Sequence, residues 1–404
     1  MTLSPIPASA LLDERVLADP YPFYTRLRET APVWRVPGTK IFVVSKHALL
    51  DEASRRVEDF SSHLKAVLYR GRNGIPARLT RDTGIPQVLA TADPPAHGVH
   101  RKAVFPELVA KRMSAMAPEI EQVADACIGS LLLQGTADFM AVVGNPLPMR
   151  VVSKLVGFKE SNIDKLLDAA FDSTAVVGAS LTLLQLLKTM ARSAAIQFWM
   201  AGQLRATSAT GDDILSAIKR NIDSGTLRNV EGRSILHILL AAGGESTSSL
   251  LGNAVRILAE NPDLQRALRD QPERIPSFVE EVLRLESPFR FHLRSTPKDT
   301  ALGGVEVPAG ATVLMFWSAG NRDPDAFARP DELDLDRPRN HMTFGRGIHT
   351  CVGAPLARLE GLIVLRALLA RTRHIALDPA RTPRWVTSLQ VRRHERLPIT
   401  VTPR

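Results

Sequence analysis

The longest regular pattern of apolar positions lies between Ser234 and Leu258 and predicts a buried helix. Apolar residues recur there at helical spacing, and the pattern ends before Asn261-Pro262, where a proline stops a helix. Two consecutive glycines, Gly243 and Gly244, interrupt the pattern, and each costs about 1 kcal/mol relative to alanine inside a helix. Two interpretations remain open. Either the backbone opens locally at a functional site, or a neighbouring helix packs closely against the small residues.

The remaining pattern predicts a mostly helical chain with a few short strands. Helical spacing follows a turn in residues 18–30 and recurs through residues 115–220. Val33–Val36 and Ile41–Val44 flank Pro37-Gly38 and predict a β-hairpin. A length of 404 residues suggests two or three domains, but no linker, charge block or repeat divides the chain.

Two further stretches differ in composition from the rest of the chain. Residues 61–90 show weak periodicity and are rich in Gly, Arg, Pro and Thr, which predicts a long loop that is functional or mobile. Residues 175–187 are largely apolar and carry no charge, which suggests burial or a pocket lid. For the second stretch, ordinary core packing is the default interpretation.

Composition and charge narrow the classes of function. The 404 residues include 51 Lys and Arg against 42 Asp and Glu, a formal net charge of +9. Aromatic residues make up only 5% and do not interleave with the basic ones, so we expect no nucleic-acid partner. Most of these charges belong to a solvated surface, and a minority are expected to form a docking face for an acidic protein.

We expect no signal peptide, no membrane anchor and a cytoplasmic location. The first residues lack a basic region followed by an apolar run, and no apolar stretch reaches the length of a membrane span. Only two cysteines are present, Cys127 and Cys351, which fits a reducing compartment.

The chemically most informative stretch is Phe344-Gly-Arg-Gly-Ile-His-Thr-Cys351-Val-Gly353, which continues into a segment that predicts a helix. Gly345 and Gly347 bracket a tight turn and let the backbone approach something flat. A cysteine ahead of a helix N-terminus has backbone N–H groups aimed at its sulfur, which favours the metal-binding thiolate. The alternative is a buried structural cysteine.

These ten positions match the pattern Phe-Gly-x-Gly-x-His-x-Cys-x-Gly, and the sequence resembles the cytochrome P-450 superfamily of haem-thiolate monooxygenases. The resemblance implies a single domain over residues 1–404 with a mainly α fold and small β-sheets, whose β-rich part lies at about 31–60. The fold would be a triangular prism with haem b (iron protoporphyrin IX) between a long central helix and the cysteine loop. The resemblance also implies that Cys351 is the axial ligand of the iron. Phe344 would lie under the macrocycle, His349 would reach a propionate, and Gly345, Gly347 and Gly353 would allow the close approach.

The same resemblance assigns further residues to the haem. His97 and Arg101, four apart on a predicted helix, and Arg294 would bind the propionates, which suits a planar guanidinium. Ala242 and Gly243 would contact the haem from the long helix.

The acid and the alcohol of the family's proton relay match Glu245 and Ser246, and Thr247 could share the role. Most members have Thr at the position of Ser246. Serine keeps the hydroxyl but loses the methyl group that restricts χ1. We therefore expect activity with somewhat more release of peroxide.

Two further groups of residues follow from the resemblance. One is a buried structural set formed by Glu281, Arg284 and Arg337. The other is a substrate pocket, for which plain core is the alternative, with the candidates Ile238, Ala241, Ala242, Phe289, Phe291, His292, Leu389 and Gln390.

The resemblance implies insertion of one oxygen atom from O2 into an apolar small molecule, as in secondary metabolism. No NAD(P)-binding or flavin segment is visible, so a separate ferredoxin and ferredoxin reductase are expected to supply electrons to a monomer. Oxidative coupling of aromatic or peptide-like molecules would use the same residues. A peroxide-driven enzyme and a non-catalytic haem sensor or carrier are further alternatives, although neither needs the pair Glu245 and Ser246.

Overall fold

The computed structural model describes residues 4–80, 86–108, 110–159 and 162–404. Helices make up 55% of the structure and the sheets are small, which confirms the expected fold class. Within the described residues the helices are α1 (Glu14–Ala18), α2 (Tyr21–Thr30), α3 (His47–Arg55), α4 (Ala96–Val104), α5 (Ala110–Ala115), α6 (Ala117–Gln134), α7 (Pro146–Val156), α8 (Ile163–Val177), α9 (Leu183–Ala206), α10 (Ile214–Asp223), α11 (Asn229–Glu260), α12 (Pro262–Asp270), α13 (Ile275–Leu285), α14 (Trp317–Gly320) and α15 (Ala354–Arg371). No helix of these residues is long and apolar enough to cross a membrane.

The strands are short and form one larger sheet and several small ones. They are β1 (Val33–Arg35), β2 (Ile41–Val44), β3 (Val67–Arg70), β4 (Pro76–Leu79), β5 (Thr136–Asp138), β6 (His292–Ser295), β7 (Thr300–Leu302), β8 (Val305–Val307), β9 (Thr312–Met315), β10 (Thr372–Leu377), β11 (Arg384–Trp385), β12 (His394–Arg396) and β13 (Pro398–Pro403).

The larger sheet has the strand order β1-β2-β9-β6, and the next has the order β10-β13-β5. The predicted hairpin is confirmed, with Val33 opposite Val44 in an antiparallel pair. Strand β2 also pairs in parallel with β9, which joins the N-terminal hairpin to a segment far along the chain. The expected β-rich region at 31–60 contains only this hairpin, and helix α3 fills most of its second half.

Helix α11 is the 32-residue helix that the apolar pattern predicted, and most of its second half is buried. It is helical throughout, so its backbone does not open at the two glycines. A Cβ at Gly243 would lie 2.9 Å from Val152 Cγ2, and one at Gly244 would overlap Met149. Both contacts come from α7, so close helix packing explains the two glycines.

The described residues of the stretch 61–90 contain regular structure, although a long loop was expected there. Strands β3 and β4 form an antiparallel hairpin there, and residues 81–85 lie outside the described residues. Asn73 and Gly74 make the turn, with φ of 57° and 71°. Asn-Gly is a strong hairpin signal because both residues tolerate positive φ. This hairpin was not among the elements predicted from the sequence.

The apolar stretch 175–187 does not form buried core throughout. It covers the end of α8 and the start of α9, where Leu183, Leu184 and Leu187 are 40%, 63% and 50% exposed. None of the three lines the cavity described below.

Candidate active site

A cavity lies between the middle of α11 and the loop that precedes α15. The α11 residues in its wall recur every three or four positions, so they share one face of the helix. They are Ile238, Leu239, Ala242, Gly243, Ser246, Thr247 and Leu250. The loop contributes most of residues 344–353 to another part of the wall.

The Cys351 loop is a tight turn that depends on two glycines. Gly345 and Gly347 have φ of 70° and 69°, in the left-handed region that favours glycine. A Cβ at position 347 would also lie 2.9 Å from the Ser54 carbonyl oxygen. The Cys351 N–H donates to the Phe344 carbonyl at 2.8 Å and closes the loop. The backbone therefore requires both glycines.

Cys351 lies just before α15, as predicted, and its side chain is open to the cavity. Burial within the protein raises the pKa of its thiol, while the backbone N–H groups of Gly353 and Ala354 act in the opposite direction. The helix N-terminus thus has the expected effect, but burial outweighs it. Because a coordinated metal ion deprotonates a thiol, this sulfur fits a metal ligand.

The Cys351 loop is supported by Glu280, a residue to which the sequence assigned no role. Arg358 donates two hydrogen bonds to the Glu280 carboxylate, at 2.6 and 3.0 Å, and His341 Nε2 lies 3.0 Å from it. Burial alone would raise the pKa of Glu280, but these bonds lower it to about 2. The Arg358 guanidinium also lies 4.5 Å from the centre of the Phe344 ring. This ion pair therefore supports the loop directly.

One end of the cavity carries guanidinium groups that have no acidic hydrogen-bond partner among the described residues. Arg294 is 8% exposed and donates only to the carbonyl of its neighbour Leu293, at 2.8 Å. Burial lowers its pKa to about 10, so it stays charged at neutral pH. Arg101 donates to the Ile348 and Thr350 carbonyls and holds the Cys351 loop. Both arginines line the cavity.

Two histidines lie beside these arginines. The rings of His97 and His349 are 4.4 Å apart, and both line the cavity. The His349 Nε2 atom lies 2.9 Å from Ser62 Oγ, while its Nδ1 atom is buried without a partner. Burial, followed by the charges of Arg294 and His97, lowers the pKa of His349 to about 3. Neutral donors and a buried cation therefore converge at one end of the cavity.

The α11 wall presents two hydroxyl groups. Ser246 lies on the cavity, and its hydroxyl donates to the Ala242 carbonyl one turn earlier, at 2.6 Å. Because this bond uses the hydroxyl proton, Ser246 offers acceptor lone pairs to the cavity. Thr247 is 3% exposed and also lines it.

Known proteins resemble this chain along nearly its whole length. A family model described as cytochrome P450 matches residues 203–385. Cytochrome P450 144 of Mycobacterium tuberculosis is 38% identical over 399 residues, which cover 98% of this chain and 92% of the relative. The chain belongs to the cytochrome P450 family.

Two further comparisons support the assignment. The 6-deoxyerythronolide B hydroxylase of Saccharopolyspora erythraea is 33% identical over 395 residues, covering 94% of this chain and 96% of the hydroxylase. The structure of cytochrome P450 CYP109Q5 from Chondromyces apiculatus superposes with a TM-score of 0.83 at 28% identity, covering 98% of both chains. The protein is therefore a cytochrome P450 monooxygenase with a haem cofactor.

The residues of this P450 fit a haem. The unpaired Arg294 guanidinium and the unpartnered His349 Nδ1 suit two propionates, and the open Cys351 thiol suits the iron. At Gly353 a Cβ would meet only Cys351 Sγ, at 3.8 Å, so space remains beside the sulfur for a flat group.

Glu245 does not line the cavity. Its carboxylate pairs with Arg393 at 3.0 Å and accepts a hydrogen bond from Thr174 on α8. Burial raises the pKa of Glu245, and Arg393 and Thr174 act against that rise. Neither partner could be predicted from the sequence, because Arg393 lies 148 positions from Glu245 and no local pattern joins them.

The expected substrate pocket is only partly formed by the expected residues. Ile238, Ala242, Phe289 and His292 line the cavity. The other candidates are buried and do not line it: Ala241, Phe291, Leu389 and Gln390.

Local geometry explains these four exceptions. Ala241 lies one position, or about 100°, round the helix from Ala242. The Phe291 ring packs on Phe316 at 5.3 Å, and the Gln390 amide donates to the Phe291 carbonyl at 3.3 Å. Leu389 belongs to the N-terminal core.

His292 belongs with the polar groups of the cavity rather than with its apolar wall. Trp317 Nε1 donates to His292 Nδ1 at 2.7 Å. Burial, assisted by Arg294, lowers the pKa of His292 to about 4, so the ring is neutral and its proton resides on Nε2.

Arg284 and Arg337 both lie in contact with Glu281. Arg284 binds the Glu281 carboxylate with two bonds of 2.6 and 2.9 Å, and Arg337 Nε lies 3.2 Å from it. Arg284 also donates to the Asn321, Pro330 and Glu332 carbonyls. These bonds join α13 to the segment that leads into the Cys351 loop.

Proposed function

We propose that this P450 inserts one oxygen atom from O2 into an apolar small molecule of secondary metabolism. The observation that carries the proposal is the composition of the cavity wall. Beyond the thiol, the basic end and the two hydroxyls, the wall is apolar, with residues such as Leu89, Val152, Leu155, Ile238 and Phe289. Among the described lining residues the single carboxyl group is that of Glu360, whose pKa is raised well above its ordinary value by burial, and none is a lysine, so a neutral apolar substrate fits best.

Different residues would hold the iron, the propionates and the macrocycle of the haem. Cys351 would hold the iron, and His97, Arg101, Arg294 and His349 would hold the propionates. Phe344, Gly345, Gly353, Ala242 and Gly243 would lie against the macrocycle. The bound haem supplies the activation of dioxygen.

On the α11 side, Ser246 and Thr247 would hold water by hydrogen bonding and pass protons. Glu245, which does not line the cavity, would supply protons to these hydroxyls. Because its carboxylate is held by Arg393 and Thr174, it would exchange protons with the cavity only after turning away from them.

A separate ferredoxin and its reductase would deliver the electrons. The net charge of +9 favours an acidic carrier, because opposite charges speed the encounter of two proteins. We further propose that the protein works in the cytoplasm as a single-domain monomer. No nucleic acid or membrane takes part in this proposal.

The test is an isotope experiment on a compound found by screening. Apolar metabolites are screened for those that shift the haem absorption spectrum on binding, and the best binder is turned over under ¹⁸O-labelled dioxygen. The proposal predicts a product that gains one labelled oxygen atom. A product formed by coupling with no added oxygen, or the same turnover with peroxide and no reductant, would contradict it.

A further inference from the structure

His292 offers the cavity one hydrogen-bond donor that no described residue uses. Trp317 Nε1, which can only donate, binds His292 Nδ1 at 2.7 Å, so Nδ1 carries no proton. The proton of the neutral ring is therefore on Nε2. Within the described part of the chain nothing accepts a hydrogen bond from Nε2, and the side chain lines the cavity. The Nε2–H group is thus left for a bound molecule.

Strand β6 places this donor between the basic end of the cavity and its apolar wall. Side chains of a strand alternate between its two faces, so His292 and Arg294 share the face that lines the cavity. Phe291 and Leu293 occupy the other face and belong to the N-terminal core. The Phe289 ring, which also lines the cavity, lies 5.9 Å from the His292 ring. If Arg294 holds a propionate, His292 is the next donor on this wall, about 7 Å away along the strand.

The surroundings of His292 select the kind of acceptor. Burial, followed by the charge of Arg294, lowers the pKa of His292 to about 4, so the ring is neutral at neutral pH. A neutral donor beside an apolar wall suits a neutral acceptor, because a buried charge needs an opposite charge. A carbonyl oxygen fits best, since it accepts a hydrogen bond and brings no donor of its own that the wall would leave unpaired.

We propose that His292, held in this tautomer by Trp317, binds a carbonyl oxygen of the substrate. The substrate class is then apolar ketones, esters and lactones. The proposal rests on the monooxygenase function proposed above and names the substrate class of that same site. His292 touches the substrate, whereas Trp317 is a positioning residue, because it acts through the His292 ring.

The test measures binding to the haem-loaded protein with pairs of compounds that differ by one carbonyl group. The pairs are adamantanone and adamantane, cyclododecanone and cyclododecane, and androstanone and androstane, which cover three ligand sizes. Each compound is titrated while the shift of the haem absorption spectrum is recorded. The ratio of the two dissociation constants of a pair measures the preference for the carbonyl group. At least one of the ketones should bind the wild type.

Three variants separate the donor from the shape of the pocket. His292→Phe keeps a flat ring without the donor, so the ketone should bind about tenfold more weakly while the affinity for the hydrocarbon changes by less than about twofold. Trp317→Phe lets the His292 proton move to either nitrogen, so part of the preference for the ketone should be lost. Phe289→Leu is the control, because trimming this ring should weaken both members of a pair alike.

A double variant guards against loss of the fold. In His292→Phe the buried indole N–H of Trp317, a side chain 1% exposed, loses its acceptor. The double variant His292→Phe, Trp317→Phe replaces both partners with apolar groups and leaves no unpaired polar atom between them. It should fold and show the same selective loss of affinity for the ketone.

A preference for the ketone that is unchanged in His292→Phe and in the double variant would overturn the proposal. An equal loss for both members of a pair would also overturn it, as would no binding of any of the three ketones. Turnover of the bound ketone under labelled dioxygen separates this failure from failure of the function. A selective loss of ketone affinity with no labelled product contradicts the function alone, whereas a labelled product with an unselective loss contradicts only the role of His292.

Discussion

The two sides of the cavity are held together by different forces. The thiol side, formed by the Cys351 loop and α13, is fixed by buried ion pairs around Glu280 and Glu281. The α11 side is fixed by the packing of small residues against α7. Ion pairs fix the orientation and distance of the groups they join, which suits a loop whose Cys351 sulfur must bind one metal atom. Close packing fixes the shape of a surface, which suits the α11 wall of a cavity for an apolar molecule.

From this difference we expect that removing a buried charge lowers the stability of the thiol side. We expect that adding side-chain volume lowers the stability of the α11 side.

Removing the charge of Glu281 should have the largest effect on stability. Glu281→Gln would leave Arg284 and Arg337 buried without their shared partner. Loss of one member of a buried pair costs about 3–5 kcal/mol. We expect that decrease in the free energy of unfolding in urea, together with poor haem retention. The exposed Glu121→Gln serves as control, and an equal, small change in both variants would contradict the role.

Acid should weaken the thiol side through Glu280. Its folded pKa of about 2 lies below the ordinary value of 4.5, so its contribution is complete above pH 4.5 and is lost as the pH falls towards 2. The shift corresponds to about 3 kcal/mol. We expect the difference in unfolding free energy between wild type and Glu280→Gln to shrink by about that amount over this range. A difference that does not change with pH would show that Glu280 is not ionically held.

Added volume should weaken the α11 side. In Gly243→Ala the new Cβ meets Val152, whose branched side chain is stiff. Overpacking of this kind costs about 1–3 kcal/mol of unfolding free energy. The double variant Gly243→Ala, Val152→Ala should lose less stability than the sum of the two single variants.

Gly202→Ala is the matched control for this effect. Its Cβ would meet nothing within 4 Å, so we expect no loss and a gain of up to about 1 kcal/mol, because alanine favours the helix. If Gly243→Ala is as stable as Gly202→Ala, packing against α7 does not explain the glycine.

The smallest effect is expected for Ser246→Thr. Threonine can keep the bond to the Ala242 carbonyl while its methyl group restricts χ1. We expect less peroxide released per reduced cofactor, with a change in rate below about tenfold, or about 1.4 kcal/mol. No change in the product formed per reduced cofactor would contradict the idea that serine orients its hydroxyl less well.

The sequence predicts the thiol side better than the α11 side, for a physical reason. The Cys351 loop is made of contiguous residues, and its glycines are required by local φ angles that any tight turn of this kind imposes. The helix α11 was also predictable, because apolar periodicity is a local property.

Contacts between distant segments could be predicted only where the family resemblance implies them, as it does for Glu281 and Arg337. Nothing near Glu245 indicates that Arg393 and Thr174 hold its carboxylate. The helical spacing of α15 also does not predict that the buried Glu360 Oε2 atom has no hydrogen-bond partner among the described residues. That property depends on every segment packed around the side chain. Phe291 and Leu389 were expected in the pocket wall but pack elsewhere in the core, and this packing also depends on distant segments.

The most direct test of the account is the absorption spectrum of the reduced protein with carbon monoxide. We predict the strongly red-shifted Soret band of thiolate-bound haem in the wild type. The band should persist in Cys127→Ala, which removes the other, buried cysteine on α6, and disappear in Cys351→Ala. A wild-type band at the position typical of histidine-bound haem, or a red-shifted band that survives in Cys351→Ala, would contradict the assignment of Cys351 as the iron ligand.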